Sequence, residues 1–201
     1  MKGVLSGFDM ANFVLATLLL FLKKNLNFNL MVHVNSYFST LTINGWISLF
    51  EDFSDCIDIL YESFVYMVNE KSVSIYAFVV MKDHLHIIWK SKYDNIDDVT
   101  SSLKKFTGRK FLYYLRSNDT SYLDENFLSK RKDRNYKFWK SNSSNFLIQH
   151  SEIFRQKMDY IHYNPVKGDY KVCAHPGEYY NSSFNSYETM ESQFPFLTLG
   201  I

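Results

Sequence analysis

The sequence predicts an α+β domain: a ferredoxin-like antiparallel sheet with helices on one face, extended by a C-terminal helix that bears a tyrosine. Three observations predict it. Segments of two-residue apolar period and segments of helical period follow one another as strand, helix, strand, strand, helix, strand, which is the ferredoxin-like order. A length of 201 residues with 46% hydrophobic content fits one domain with a sizeable core. A further helical segment, Ser151–Tyr163, follows the last strand and is stopped by Asn164-Pro165, because the residue before a proline is pushed out of the helical region.

The elements are justified in order. Tyr37–Ile43 alternates and is β-branched, the pattern of a strand, and Asn44-Gly45 breaks it. Across residues 50–70, Phe50, Phe53, Ile57, Leu60, Tyr61 and Phe64 recur near helical spacing among acidic residues, which predicts an amphipathic helix. Ser74–Met81 and His84–Lys90 read as two strands joined by a short turn at Lys82-Asp83. Ile96–Leu115 predicts a second helix, with Val99, Leu103, Phe106 and Leu112 on its apolar side. Ser121–Lys137 is polar and predicts loop, Phe138–Ile148 supplies a last strand, and the chain from His175 onward is turn-rich.

This organisation divides the chain into an apolar extension over 1–34, the main domain over 35–185 and a tail over 186–201. The extension contains Met10–Leu22, an apolar run followed by Lys23-Lys24. The run is too short for an ordinary membrane span, and no small-residue cleavage site follows it. A weak signal sequence, an upstream start with Met31 as the functional one, and an extra packed helix all fit; the favoured reading is a non-catalytic extension. No membrane partner is expected.

A formal net charge of +1 argues against a uniformly basic nucleic-acid binder, but the charge is unevenly placed. Residues 100–140 hold eleven Lys and Arg against four Asp and Glu, leaving the remainder acidic. A basic middle of this kind is an electrostatic footprint for a polyanion. Its candidate contacts are Lys104, Lys105, Arg109, Lys110, Arg131, Lys132 and Arg134. Solvated helix faces give the same count. The 18% aromatic content suits base stacking and core packing alike. Two cysteines, Cys56 and Cys173, make neither a disulfide framework nor a zinc spacing, which suits a reducing cytoplasm. Walker loops and glycine-rich dinucleotide turns have no match.

Two motifs carry chemistry. In Met81-Lys-Asp-His84-Leu-His86, two histidines two residues apart in a β-prone run project from one strand face while Leu85 turns to the other. Their imidazoles are close enough to share a cation, and imidazole suits Mn²⁺ better than Mg²⁺. Alone, His-x-His describes two surface histidines as well as it describes a site. In Tyr160-Ile-His-Tyr-Asn164-Pro165-Val-Lys167, Tyr160 and Asn164 fall four apart, on one helix face. A phenol ionises only near pH ~10, so it needs a nearby cation or base to serve as a nucleophile. Tyr163 is the competing nucleophile, and its position points elsewhere around the helix.

Both motifs together make the stretch from about Tyr37 to Ser183 resemble the HUH-type single-tyrosine transposases, in particular the REP-associated tyrosine transposase branch. Further matches are Phe138-Trp139, the basic Lys104-Lys-Phe-Thr-Gly-Arg109-Lys110 and Tyr179-Tyr-Asn-Ser182-Ser183. Lys82-Asp83 stands where the family pattern has Pro-Asn, and Gly168-Asp169-Tyr170 departs from the usual continuation. The resemblance implies that His84, His86 and Asn164 hold a Mg²⁺ or Mn²⁺ ion. Tyr160 then attacks single-stranded DNA to give a 5′-phosphotyrosine and a free 3′-hydroxyl. It implies single-stranded or hairpin DNA as partner, the basic segment and Lys167 as DNA contacts, and a cytoplasmic protein. Relatives include homodimers that exchange the tyrosine helix and monomers that use it in cis. A hairpin-binding protein without catalysis is the alternative reading.

Overall fold

A computed structural model of the chain describes residues 35–130, 135–168 and 171–199. The extension over 1–34 and the candidate contacts Arg131, Lys132 and Arg134 lie outside the described residues. Four strands, β1 (Ser36–Thr42), β2 (Val73–Val80), β3 (His84–Ser91) and β4 (Ser144–Ile148), form one sheet in the order β2-β3-β1-β4. Every neighbouring pair is antiparallel, as the predicted element order requires.

The helices are α1 (Leu49–Asp52), α2 (Asp55–Lys71), α3 (Ile96–Asn118), α4 (Thr120–Phe127), α5 (Ser151–Tyr163) and α6 (Phe184–Thr189). The two faces of the sheet are built differently. Leu41, Leu85, Ile87 and Trp89 meet α2 and α3 in the main core, with Leu60, Phe64, Leu103 and Phe111. On the other face Phe38, Val79 and Ile88 pack against Phe154, Met158 and Ile161 of α5. Successive residues of a strand point to opposite faces, so β3 alone supplies both layers. In β2 a bulge between Ile75 and Ala77 shifts the parity, which lets Ile75 and Phe78 share the main core.

Four expectations need correction. Phe106 does not lie on the buried side of α3. The buried stripe is Ile96, Val99, Thr100, Leu103, Thr107, Phe111 and Leu115, while Phe106 is 47% exposed and Leu112 only half-buried. Two threonines are admitted because their hydroxyls donate back to the carbonyls of Ile96 and Leu103, and Thr107 also accepts from Trp139 Nε1 at 2.9 Å. Residues 121–137 are not simply loop, since α4 occupies Thr120–Phe127, capped by Asp119 accepting from the Tyr122 amide. The last strand is Ser144–Ile148 alone. Phe138 and Trp139 are buried core side chains just ahead of it, held by a bridge from Trp139 to Ile43. The segment from His175 onward is more ordered than its turn-rich composition suggests.

That C-terminal segment has a definite job at the sheet edge. β2 is an edge strand, and such an edge leaves unpaired amides and carbonyls. The Val80 amide donates to Asn181 O at 2.8 Å, Ser183 N donates to Phe78 O at 3.0 Å, and Thr198 N donates to Ile75 O at 2.7 Å. Phe194 packs on Phe78 and Tyr61, and Phe196 and Leu197 are buried, so residues 186–199 add to the core of the main domain. Among the described residues, no helix is long and apolar enough to cross a membrane.

Candidate active site

The start of β3 and the last turn of α5 converge on one cleft of ≈ 480 Å³. It is lined by Thr40 and Thr42 of β1, Trp46, His84 and His86 of β3, Tyr160 of α5, and Asn164, Lys167 and Gly168 just beyond that helix. The two motifs are more than seventy residues apart in sequence, and the fold joins them because α5 lies across the face of β3 that carries the histidines.

Register fixes the imidazoles. In the β1–β3 pairing, Thr42 stands opposite His84 and Thr40 opposite His86. His86 Nδ1 and the Thr40 hydroxyl are 2.9 Å apart. His84 Nδ1 bonds to the carboxylate of Asp83, a residue only 2% exposed. A carboxylate only accepts, so Nδ1 carries the proton and Nε2 is the nitrogen a cation would use. The rings of His84 and His86 are 4.8 Å apart between centroids. Burial, then the charges of His84 and Lys157, hold the His86 imidazole far below its ordinary value, at about 3. It is therefore neutral at physiological pH, the form in which imidazole ligates a metal.

Tyr160 reaches the same cleft. Its ring lies edge-on to His86 at 5.0 Å and to Phe38 at 5.8 Å, and the residue is 46% exposed. Asn164 caps the same helix and lines the cleft, as the four-residue spacing predicts. Tyr163 is not among the cleft residues; its ring is edge-on to Phe184, with the Lys167 ammonium 5.4 Å from its centroid. His162, inside the motif, is buried and bonded to Ser183 Oγ at 2.9 Å, which makes it a packing residue.

Among the described residues, no group of three or more His, Cys, Asp or Glu side chains comes together. The donor set at the cleft is two imidazoles and one amide oxygen, with Asp83 behind His84. That chemistry fits a borderline cation such as Mn²⁺ better than Mg²⁺, which prefers oxygen ligands.

The basic candidates divide among three places. Lys104, Lys105 and Arg109 of α3 line a groove of ≈ 960 Å³ together with Arg116, Lys137 and Lys140. Lys104 is partly committed there, donating to the Ser141 carbonyl at 3.0 Å, and burial lowers its pKa. Lys110 is not among the groove residues and lies 5.7 Å from the Phe106 ring centroid. Lys167 belongs to the histidine cleft.

Sequence reasoning passed over Asp83, Thr40, Trp46 and Lys140. Asp83 had a signal, an acid directly before the first histidine. Thr40 had none without the strand register.

The fold is similar to that of a solved tyrosine transposase. A solved REP-associated tyrosine transposase bound to a REP hairpin is similar to this chain at TM-score 0.55 and 19% sequence identity, over 83% of this chain and 86% of that one. A putative transposase from Deinococcus radiodurans R1 has TM-score 0.40 and 16% identity, over 61% of this chain and 85% of that one. No protein-family model and no curated protein sequence matches the chain.

Proposed function

We propose that this protein cuts and rejoins single-stranded DNA, at or near DNA hairpins, with Tyr160 as the nucleophile. The observation that carries the reading is the convergence of His84, His86, Tyr160 and Asn164 on one cleft of a fold shared with a hairpin-bound transposase. The Tyr160 hydroxyl attacks the phosphorus of a phosphodiester. The Oη–P bond forms, the P–O3′ bond breaks, and a 5′-phosphotyrosine and a 3′-hydroxyl result. The phenolic proton passes to water at the open side of the cleft, and the departing 3′ oxygen takes one up. The phosphotyrosine conserves the bond for transfer to another 3′-hydroxyl.

His84, His86 and Asn164 would hold Mn²⁺ or Mg²⁺, with Asp83 and Thr40 fixing the two rings. Such a cation, when bound, supplies positive charge against the oxygens of the phosphate. Lys105, Arg109 and the neighbouring cations of the groove would take the DNA backbone, a contact that carries no sequence information. Tyr160 faces His86 of its own chain, so the reading needs no exchange of helices between two copies. It also places the protein in the cytoplasm, with its DNA.

The test is a labelled hairpin oligonucleotide with a single-stranded extension, incubated with the protein and Mn²⁺ and run under denaturing conditions. A protein–DNA adduct is expected from the native chain and none from Tyr160→Phe. Hairpin binding without any adduct would instead identify a binding protein that lacks the chemistry. An adduct that survives Tyr160→Phe would move the nucleophile to Tyr163.

A further inference from the structure

The turn after β1 puts a tryptophan where a chain of this pattern has little reason to place one. Gly45 has φ 75° and Trp46 φ 59°, so both occupy the left-handed region. Glycine does this freely; a bulky side chain rarely does, and such conformations persist where the surroundings hold them. Here they are held. The Trp46 amide donates to Ile43 O at 3.1 Å, Ile43 N donates to Asp83 O at 2.8 Å, and Asn44 N donates to Phe138 O at 2.7 Å. The indole stays largely outside the core: it is 54% exposed, whereas Trp89 and Trp139 are 0% and 5% exposed.

What the conformation achieves is position. Trp46 lines the histidine cleft, edge-on to His84 at 6.4 Å between centroids. The Lys140 ammonium sits 3.5 Å from the indole centroid, and Lys140 lines the basic groove. Lys140 is also tied by its backbone amide to Thr42 O at 2.9 Å, and Thr42 is a cleft residue. The Trp46–Lys140 pair is thus the junction between a cleft equipped for phosphodiester chemistry and a groove rich in cations. An exposed aromatic beside a basic track is the composition of a single-strand site, in which bases stack and phosphates are neutralised.

We infer that Trp46 is a positioning residue: it stacks the base of an unpaired nucleotide beside the phosphate presented to Tyr160. Lys140 and the groove take the backbone of the strand on that side. This rests on the proposed function for the identity of the ligand as single-stranded DNA. It adds the path of the strand and the reason an unpaired base is required, because a base inside a duplex offers no free face to the indole.

Trp46 fluorescence tests the inference without any cleavage. The other two tryptophans are buried, so a stacked base would quench Trp46 in particular. The full chain in EDTA is titrated with a hairpin carrying a single-stranded extension, and with a blunt duplex. Binding is followed separately by anisotropy of a dye on the DNA. The expected result is quenching of the solvent-exposed emission by the extended hairpin, absent with the blunt duplex and absent in Trp46→Phe. Trp46→Leu should weaken binding of the extended hairpin roughly 5- to 150-fold, the value of one stacked base, and Trp46→Phe should recover most of it. Trp46→Asn, which tolerates the left-handed conformation, should match Trp46→Leu in binding without lowering the melting temperature.

Extended hairpin that binds with no change in emission, or with equal affinity for Trp46→Leu, overturns the inference even if the Tyr160 adduct forms. Quenching by the unpaired extension with no adduct under Mn²⁺ leaves the stacking site standing and removes the catalytic reading. Absence of binding to either DNA removes both.

Discussion

The two faces of β3 set five residues of one strand to opposite tasks. Leu85, Ile87 and Trp89 turn toward α2 and α3 and are fully buried among aliphatic and aromatic side chains. Even the polar atom on that side is matched, since Trp89 Nε1 donates to Ser39 Oγ at 2.7 Å. His84 and His86 turn the other way, into a cleft with an exposed tyrosine, with Asp83 bonded to the first ring and Thr40 to the second. The difference teaches where stability and chemistry are drawn from. One face is packed to exclude water; the other carries two buried imidazoles, and burial holds the His86 ring neutral.

Substitutions on the site face should give the largest functional effect with little change in folding. His86→Ala is expected to reduce adduct formation with the hairpin substrate by three orders of magnitude or more, ~4 kcal/mol or above, while lowering stability by only about 1 kcal/mol. Adduct yield and thermal melting measured on the same preparation check both halves. A loss of several kcal/mol in stability would mean that His86 is part of the core, and the contrast between faces would collapse.

On the face packed against α2 and α3 the order of effects should reverse. Leu85 lies between the two histidines and is fully buried, so Leu85→Ala removes buried methyl groups and leaves a cavity. A cost of ~2–5 kcal/mol is expected in chemical denaturation. The fraction that remains folded should still form the adduct, because Leu85 does not line the cleft. Activity per folded molecule that falls with stability would show the two faces to be coupled.

Asp83 sharpens the comparison, because it is a buried carboxylate that serves the site. Asp83→Asn keeps an acceptor for His84 Nδ1–H but removes the charge behind the ring. Mn²⁺ affinity, followed by calorimetric titration, should fall about 10- to 100-fold, the usual consequence of losing a carboxylate partner behind a metal-ligating histidine. An unchanged affinity would separate Asp83 from the cation and leave it as a turn residue only.

How much of this was legible in the sequence follows from what each signal depends on. Strand alternation is a local property, so Leu85 inward and His84 and His86 outward could be read directly from residues 84–89. Helix spacing likewise gave Tyr160 and Asn164 a common face. Phe106 reads as core because it is apolar, but α3 buries Thr107 instead, whose hydroxyl is satisfied by Leu103 O and by Trp139 from a distant segment. The helix α4 was hidden because Thr120–Phe127 is polar overall and depends on Leu123 and Phe127 inserting into a core built by other elements. Thr40, Trp46 and Lys140 belong to the site only through strand register and a left-handed turn. Their roles are properties of the assembled sheet, and no local pattern carries them.

The smallest expected effect is a dependence of stability on pH, and it tests whether burial keeps the His86 ring neutral in the folded protein. His86 has a folded-state pKa near 3 against about 6.5 for a free imidazole, chiefly from burial. As pH falls below about 6.5 the unfolded chain takes up a proton at this position and the folded chain does not. Stability from this group is therefore complete above that pH and declines toward the folded value. For the metal-free protein the loss between pH 7 and pH 5.5 is about 1 kcal/mol. Other groups titrate in the same range, so the quantity to compare is the slope of the native chain against His86→Gln, which keeps a polar side chain at the position but cannot take up that proton. Urea denaturation across this range should give a steeper fall for the native chain. Parallel slopes would mean that the imidazole is protonated in the folded protein, and a protonated ring would neither ligate a cation nor distinguish this face from an ordinary solvated one.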